Sequence, residues 1–408
     1  MIEKKNIVIG VTGGVAIYKA LEVISVLKKK DAHIRVVQTE DSTKFIPPLL
    51  FECLTNAPVF SDIFKSDFIS SSRVPTCTTH INWAGWADAL VVMPATANII
   101  AKIAHGIADD PVSLLALSTK AKKLCVPAMH SAMYENSATQ ENIKKLTERG
   151  WKILEPVKGK LACGSYGKGH ITEENIIVDA IEDLFCEKLF SGWKIIITAG
   201  PTREYIDPVR FISNPSSGMM GFSLANIAAK MGGDVTLISG CSHLSPPYNI
   251  KNFIEVENTE QMKDKVTKEL EDKKTLLLMA AAVSNFKAEK RFSQKIKKKE
   301  KMTLELVQTE DILKTVHEIV ETKKLPVKIV GFAAETENVE QNARKKIEEK
   351  GLWACVANDV SRKDIGFSSP YNEMDIIFKD GRKIHIKKDI KEKVAYNILK
   401  EIKDAIKD

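Results

Sequence analysis

Twice along this chain a continuously apolar run is followed by a glycine-containing turn and then by an amphipathic segment. Asn6–Val11 (NIVIGV) leads into Thr12-Gly13-Gly14 and a helical pattern over Ala16–Lys30, and Lys194–Ala199 (KIIITA) leads into Gly200-Pro201. Unbroken apolar runs, unlike strict alternation, are what parallel strands covered on both faces require. His33–Gln38, Ala89–Met93 and Lys122–Val126 extend the first series; Asp234–Ser239, Thr275–Ala281, Lys328–Ala333 and Trp353–Asn358 extend the second. Two successive βαβ series predict an α/β protein of two doubly wound, mainly parallel-sheet domains. They divide as 1–190 and 191–408, around Phe190-Ser191-Gly192-Trp193, and each half is long enough to bury its own core. Late in the chain, Asp375–Phe378 and Ile384–Ile386 read as a hairpin turning at Asp380-Gly381, followed by a helix from about Asp389.

Composition narrows the partners without naming one. Hydrophobic residues at 44% and charged residues at 28% exclude dominant disorder, collagen and coiled coil. The net charge of +7 suits anionic small molecules as well as nucleic acid, and part of it is the local run Lys295, Lys297, Lys298, Lys299 and Lys301. That run lacks a groove-reading motif or interleaved aromatics, so no nucleic-acid partner is expected. Seven scattered cysteines show neither CxxC nor metal-ligand spacing. With no secretion-signal pattern in MIEKKNIVIGV and no run near the ~20 apolar residues of a membrane span, they point to a reducing cytoplasm and no membrane.

Polar residues cluster where strands should end, and in open parallel sheets ligands bind outside the carboxyl ends of the strands. The segments are Thr39-Glu40, His80-Ile81, Pro94-Ala95-Thr96-Ala97-Asn98, Pro127-Ala128-Met129-His130 and Leu161-Ala162-Cys163-Gly164. Each has two readings. The Gly13-Gly14 and Gly200 turns are either tight connections or anion cradles at a helix N-terminus, and neither is a GxGxxG. Thr96 and Asn98 either cap a helix or donate to a ligand. His80 is a structural histidine or a catalytic one. Cys163, among the glycines of CGSYGKG, is packing or chemistry. Lys346 and Lys350, four apart on one helical face, are a solvated surface or an anion site.

Taken together, these motifs resemble a known family, the flavin-containing cysteine decarboxylases, in the bifunctional bacterial form that joins phosphopantothenate to cysteine and decarboxylates the product. His80-Ile81, Trp86-Ala87-Asp88, PATAN, GIADD, PAM and ACG occur in that family's order, followed by AGPTRE (199–204), DPVRFISNPSSG (207–218), MAAAVS (279–284), KIKK (295–298), GFAAET (331–336) and AND (357–359). The resemblance covers essentially the whole chain. It implies a flavodoxin-like flavoprotein domain and a Rossmann-like ligase domain.

For the first domain the resemblance implies FMN against Gly13, Gly14, Thr39, Thr96, Ala97, Asn98 and Ala128. The flavin oxidises the substrate's terminal cysteine to a thioaldehyde, CO2 leaves with its electrons delocalised onto sulfur, and the enethiolate is reprotonated and reduced. His80 matches the family's catalytic histidine, Cys163 its proton donor for the reductive step, and His130 and Met133 the substrate contacts. For the second domain it implies a CTP-dependent ligase with Mg2+, in which the pantothenate carboxylate attacks the α-phosphate and cysteine's amine then displaces CMP. Asn214 matches the residue holding the acyl-cytidylate, with Arg210 on the same loop. Met279, Ala280, Ala281, Asn285, Lys295, Thr309, Asp311, Ile312, Phe332, Lys346 and Lys350 match its CTP site. No metal ligands are identified. Homo-oligomers are also implied, decarboxylase trimers and ligase dimers combining into a dodecamer.

The chain departs from the family pattern at several positions. His130 stands where Asn is usual and His170 where Arg is commoner. Asn285 replaces Asp, Met219 a frequent Lys, Gln294 a frequent Glu, and Thr309-Glu310-Asp311-Ile312 stands for NPDI. These keep two rivals in view, an enzyme with one active domain and a non-catalytic regulatory or binding subunit. Retention of His80, Cys163, Asn214 and Lys295 favours the enzyme.

Overall fold

The computed structural model describes residues 2–64, 79–160, 164, 166–297, 301–362, 364–366 and 369–407. They form two compact units, Met1–Cys186 and Glu187–Asp408. Phe190, fully buried, falls in the second unit, where its amide donates to Met231 and its ring meets Trp193 edge-on.

The first unit has strands β1 (Asn6–Val11), β2 (His33–Gln38), β3 (Val59–Phe60), β4 (Ala89–Ala95), β5 (Lys122–Pro127), β6 (Lys152–Ile153), β7 (Val157–Lys160) and β8 (Tyr166–His170). The main sheet runs β3-β2-β1-β4-β5-β6, and every pairing in it is parallel. Setting aside the two-residue edge strand β3, the order is that of a flavodoxin-like sheet, with the switch point between β1 and β4. β4 is buried along its whole length, as its unbroken apolar run requires. The pattern over Ala16–Lys30 resolves into a short 3-10 turn, Val15–Ile17, and an α-helix, Tyr18–Lys29. β7 and β8 form an antiparallel hairpin apart from the main sheet.

The second unit has β9 (Lys194–Ala199), β10 (Arg203–Tyr205), β11 (Phe211–Ser213), β12 (Asp234–Ser239), β13 (Asn252–Glu255), β14 (Thr275–Met279), β15 (Phe286–Ala288), β16 (Leu306–Gln308), β17 (Val327–Glu335), β18 (Ala354–Asp359), β19 (Tyr371–Phe378) and β20 (Lys383–Ile390). Its main sheet runs β13-β12-β9-β14-β17-β18-β19-β20, parallel up to β18 and antiparallel over the last two strands. β14 ends at Met279, two residues before the expected Ala281. There the chain leaves the ladder, with the Ala281 amide donating to Thr198 Oγ1 (3.2 Å) and the Ala282 amide to the Gly200 carbonyl (3.0 Å). The final hairpin is longer than its sequence pattern, so the last helix begins at Lys391, not Asp389. Gly381 supplies the positive φ, 93°, that the turn between β19 and β20 needs. Among the described residues, no helix is long and apolar enough to cross a membrane.

Candidate active sites

The first site gathers at the carboxyl edge of β1, β2, β4 and β5. Gly13 and Gly14 end β1, and a Cβ added to Gly13 would lie 2.8 Å from Asp41 Cβ, so the turns after β1 and β2 are in close contact. A Cβ on Gly14 would meet the Thr96 methyl at 3.7 Å, which brings the turn after β4 to the same place. Thr12 ties the two together: its hydroxyl donates to the Pro94 carbonyl (2.6 Å) and accepts from the Thr96 amide (3.3 Å). Ala128, at the end of β5, donates its amide to Ala95 (3.0 Å). All seven residues expected at the flavin therefore lie on these four strand ends.

Thr96 does cap the helix Ala97–His105, its hydroxyl accepting from the Ile99 amide at 3.3 Å, while Asn98 is exposed on the first turn. Thr39 behaves differently. It sits at the N-cap of Glu40–Thr43 without making a side-chain cap, and its hydroxyl is buried with no hydrogen-bond partner. A buried unpaired hydroxyl costs about 1–3 kcal/mol, a cost that a hydrogen bond to a bound group at this strand end would relieve.

His130 lies beside this edge as the N-cap of Ser131–Tyr134. Its Nδ1 accepts from the Ala132 amide at 3.2 Å, which leaves Nε2 as the protonated nitrogen of the neutral ring. Met133 is half exposed on the same turn. The β7–β8 hairpin presses on this turn: the Met129 amide donates to Gly169 (3.2 Å), and a Cβ would come within 2.1 Å of Ser131 Oγ at Gly167 and of the Met129 carbonyl at Gly169. Only glycine allows that approach. Cys163 belongs to the connection between β7 and β8 and lies outside the described residues. His80 is half-buried on the first turn of Thr79–Trp86, the helix leading into β4. It is anchored by fully buried Trp83 against Phe60 (5.8 Å between ring centroids). A crossover helix runs back along the strands, so its first turn belongs to their carboxyl side. Sequence reasoning named Thr12 only within a turn and Gly167 and Gly169 only within CGSYGKG, and it passed over Asp41; Thr12 acts through hydrogen bonds and the others through close approaches, and neither carries a chemical signature in a sequence.

The second site is a cavity of about 900 Å³ over the ends of β14 and β17. Its lining includes Asn214, Met279, Ala280, Ala281, Asn285, Thr309, Asp311, Ile312, Phe332, Lys346 and Lys350. Asn214 clamps one wall, Nδ2 donating to the Ala282 (3.1 Å) and Val283 (3.0 Å) carbonyls. Thr309 fixes the next, its amide donating to the Asn285 carbonyl (3.0 Å) and its hydroxyl to that of Ser284 (2.7 Å). Asp311 caps the helix Ile312–Lys323 through the Lys314 amide (3.1 Å) and pairs with Lys350. Burial works against its ionisation, yet the Lys350 ammonium and the backbone N–H groups prevail and hold its carboxyl below the ordinary range. Lys346 donates to the Phe332 carbonyl at 2.7 Å.

Two expected residues stand outside the lining. Arg210 turns to buried Asp207 (3.0 Å) and to the Ile296 carbonyl (3.1 Å), while the Ile296 amide donates to Asp207 (3.1 Å). The exposed Lys295 is thereby carried on a segment tied to Arg210's loop. Glu204, in the AGPTRE motif, is a structural brace: buried, it accepts from the Thr259 amide (2.8 Å) and hydroxyl (2.7 Å). Gly218 and Gly221 start the helix Met219–Lys230, and a Cβ on Gly221 would lie 2.5 Å from Ala199 Cβ.

A flavodoxin-like sheet with an open carboxyl edge, followed by a second doubly wound unit with a nucleotide-sized cavity, defines a two-domain α/β flavoprotein. Residues 1–186 match the family described as flavoprotein, and residues 190–406 the DNA/pantothenate metabolism flavoprotein C-terminal domain. The chain is 41% identical over 406 residues to the coenzyme A biosynthesis bifunctional protein CoaBC of Bacillus subtilis (strain 168), covering 98% of this chain and 97% of that one. It is 38% identical to the protein of the same name from Escherichia coli (strain K12), covering 93% and 92%. A crystal structure of the C-terminal domain of a CoaBC aligns with 36% identity and a TM-score of 0.46, over 54% of this chain and 99% of that one. The chain belongs to the CoaBC family of bifunctional coenzyme A biosynthesis proteins. It is an enzyme of two activities, a flavoprotein decarboxylase and a ligase.

Proposed function

We propose that the second unit activates 4′-phosphopantothenate with CTP and joins it to cysteine, and that the first unit decarboxylates the product to 4′-phosphopantetheine with FMN. The observation carrying this reading is the convergence on one cavity of every expected nucleotide-site residue except Lys295. In the ligase step the pantothenate carboxylate oxygen attacks the α-phosphorus and pyrophosphate leaves. The deprotonated amine of cysteine then attacks the acyl carbon, forming the amide as CMP departs. Asn214 orients the activated acyl group from its clamp on the cavity wall. Lys346 and Lys350 exchange their internal acceptors for triphosphate oxygens, which a Mg2+ ion also neutralises.

In the first unit, the unpaired Thr39 hydroxyl and the side-chain-free strand ends at Gly13, Gly14, Ala97 and Ala128 fit a flavin. FMN, when bound there, supplies a two-electron acceptor that later returns its electrons. Thr96 and Asn98 hold polar atoms of that group at a helix start. His80 takes the proton released in the oxidative step, and Cys163 supplies one in the reductive step. His130 donates Nε2–H to the substrate carboxylate while Nδ1 keeps its cap, and Met133 flanks the chain. Trimers of the first unit and dimers of the second, together a dodecamer, accompany this reading; Leu49, Phe45 and Ile81 are large apolar side chains exposed on the first unit. A stable monomer in sedimentation would remove that part alone. The site of action is the cytoplasm.

The test is product mass spectrometry with 4′-phosphopantothenate, cysteine, CTP and Mg2+. The expected products are 4′-phosphopantetheine, CO2, CMP and pyrophosphate. Accumulation of phosphopantothenoylcysteine would leave the ligase and remove the decarboxylase, and no conversion would overturn both.

A further inference from the structure

The cavity of the second unit has a second polar end that the nucleotide residues do not account for. It is built on the antiparallel edge of the sheet, where β18, β19 and β20 lie side by side. Asn358 is the last residue but one of β18, Asn372 lies on β19 opposite Asp389 of β20, and Lys391 follows directly on β20 as the first residue of the last helix. All three line the cavity and all are buried, with Lys391 only 4% exposed. Lys391 Nζ donates to the carbonyl of Gly366 (2.8 Å), another lining residue, and the Lys391 amide donates to Pro370 (2.9 Å). The Asn372 side chain accepts from the Glu373 amide (3.1 Å) and lies 3.9 Å from Met220 Sδ, at the start of Met219–Lys230.

The placement of this cation runs against ordinary economy. Lysine is among the residues least often buried, and the first turn of a helix favours anions. Burial lowers its pKa to about 8, so the ammonium persists at neutral pH with little to spare. Such a group gains from a bound anion more than an exposed lysine does, because the anion is itself desolvated beside it. One buried ammonium with two neutral amides matches a single negative charge. A dianionic phosphate there would leave charge uncompensated, and Lys345, Lys346 and Lys350, which line the same cavity, are the better equipped for phosphates.

We infer that Lys391, with Asn358 and Asn372, forms the subsite for the α-carboxylate of the incoming amino acid. This rests on the ligase reading above and extends it to the acceptor. A monoanionic α-carboxylate held at this end lets the same molecule extend its amine along the cavity toward the activated acyl group at Asn214. It also selects an amino acid over a simple amine.

The experiment compares cysteine with cysteamine, which keeps the amine and thiol and lacks the carboxylate, reading CMP release. CTP–pyrophosphate exchange with phosphopantothenate alone reports the first half-reaction. Wild type is expected to prefer cysteine by at least tenfold in kcat/KM. Lys391→Met should lose that preference through a tenfold to hundredfold fall for cysteine, mostly in KM, with cysteamine and the exchange reaction within about threefold. Asn372→Asp keeps the acceptor for the Glu373 amide while placing a negative charge at the subsite, and should show the same split even if Lys391→Met folds poorly. A wild type indifferent to the carboxylate overturns the subsite, as does a parallel loss for both acceptors and for exchange in the two variants. Absence of CMP from wild type with cysteine overturns the ligase reading itself, a different result from either.

Discussion

On the proposed function the two units solve one problem, holding a large anionic ligand at the mouth of a parallel sheet, by opposite means. In the first, the strand ends carry small residues, Gly13, Gly14, Ala97 and Ala128, and two buried polar atoms at the end of β2, Gln38 Oε1 and the Thr39 hydroxyl, have no hydrogen-bond partner. In the second, the cavity is rich in charge that is already spoken for, Lys350 by Asp311, Lys346 by the Phe332 carbonyl and, beside the cavity, Arg210 by Asp207. On the proposed reading the first site holds a resident group and the second takes substrates that come and go, with Lys350 paired to Asp311 between turnovers.

That contrast can be broken at several points. The largest effect should come from His80→Asn, which is expected to lower decarboxylation by about 10²–10⁴, the usual worth of a positioned acid–base group, with CMP formation by the ligase unchanged. Assaying both half-reactions in one preparation checks the separation; equal loss of both would contradict it. Asn214→Ala should do the converse, leaving the Ala282 and Val283 carbonyls without their donor and lowering ligation about tenfold or more, with decarboxylation of added phosphopantothenoylcysteine intact.

Thr39→Val sharpens the comparison through opposite signs. Removing an unpaired buried hydroxyl should raise the stability of the flavin-free protein by about 1 kcal/mol while weakening flavin binding, measurable by melting and by fluorescence titration. Gly221→Ala, whose new Cβ meets Ala199 at 2.5 Å, should cost the second unit about 1–3 kcal/mol and leave the first unit's melting unmoved. The smallest effect is a pH dependence. The folded-state pKa of Lys391 is lowered to about 8, below the unfolded value, so between the two the unfolded chain binds more protons and stability rises with pH. Wild type should therefore gain melting temperature relative to Lys391→Met from pH 7.5 to 9.5. Equal slopes would contradict the buried charge.

His130 illustrates how a departure in sequence becomes intelligible in three dimensions. At this N-cap an asparagine would accept from the second amide of the helix, and His130 does the same with Nδ1. The substitution thus keeps the turn. Thr96 shows the reverse: both of its sequence readings lead to one place, because capping the helix brings the residue to the strand end where a ligand binds.

By itself the sequence determined the strand series, the two-unit α/β class, the family and the loops proposed to carry the chemistry, because those follow from local apolar runs and from motifs whose residues are neighbours in the chain. Only the tertiary structure decided which polar groups are already partnered. That Arg210 reaches the Ile296 carbonyl, that Thr39 is left unsatisfied, that Gly167 and Gly169 press on the His130 turn, and that Lys391 is buried in the wall of the second unit's cavity each depend on residues far apart in sequence. Apolar runs announce which strands are buried, but the burial and pairing of individual polar side chains are properties of the packed chain that no periodicity encodes.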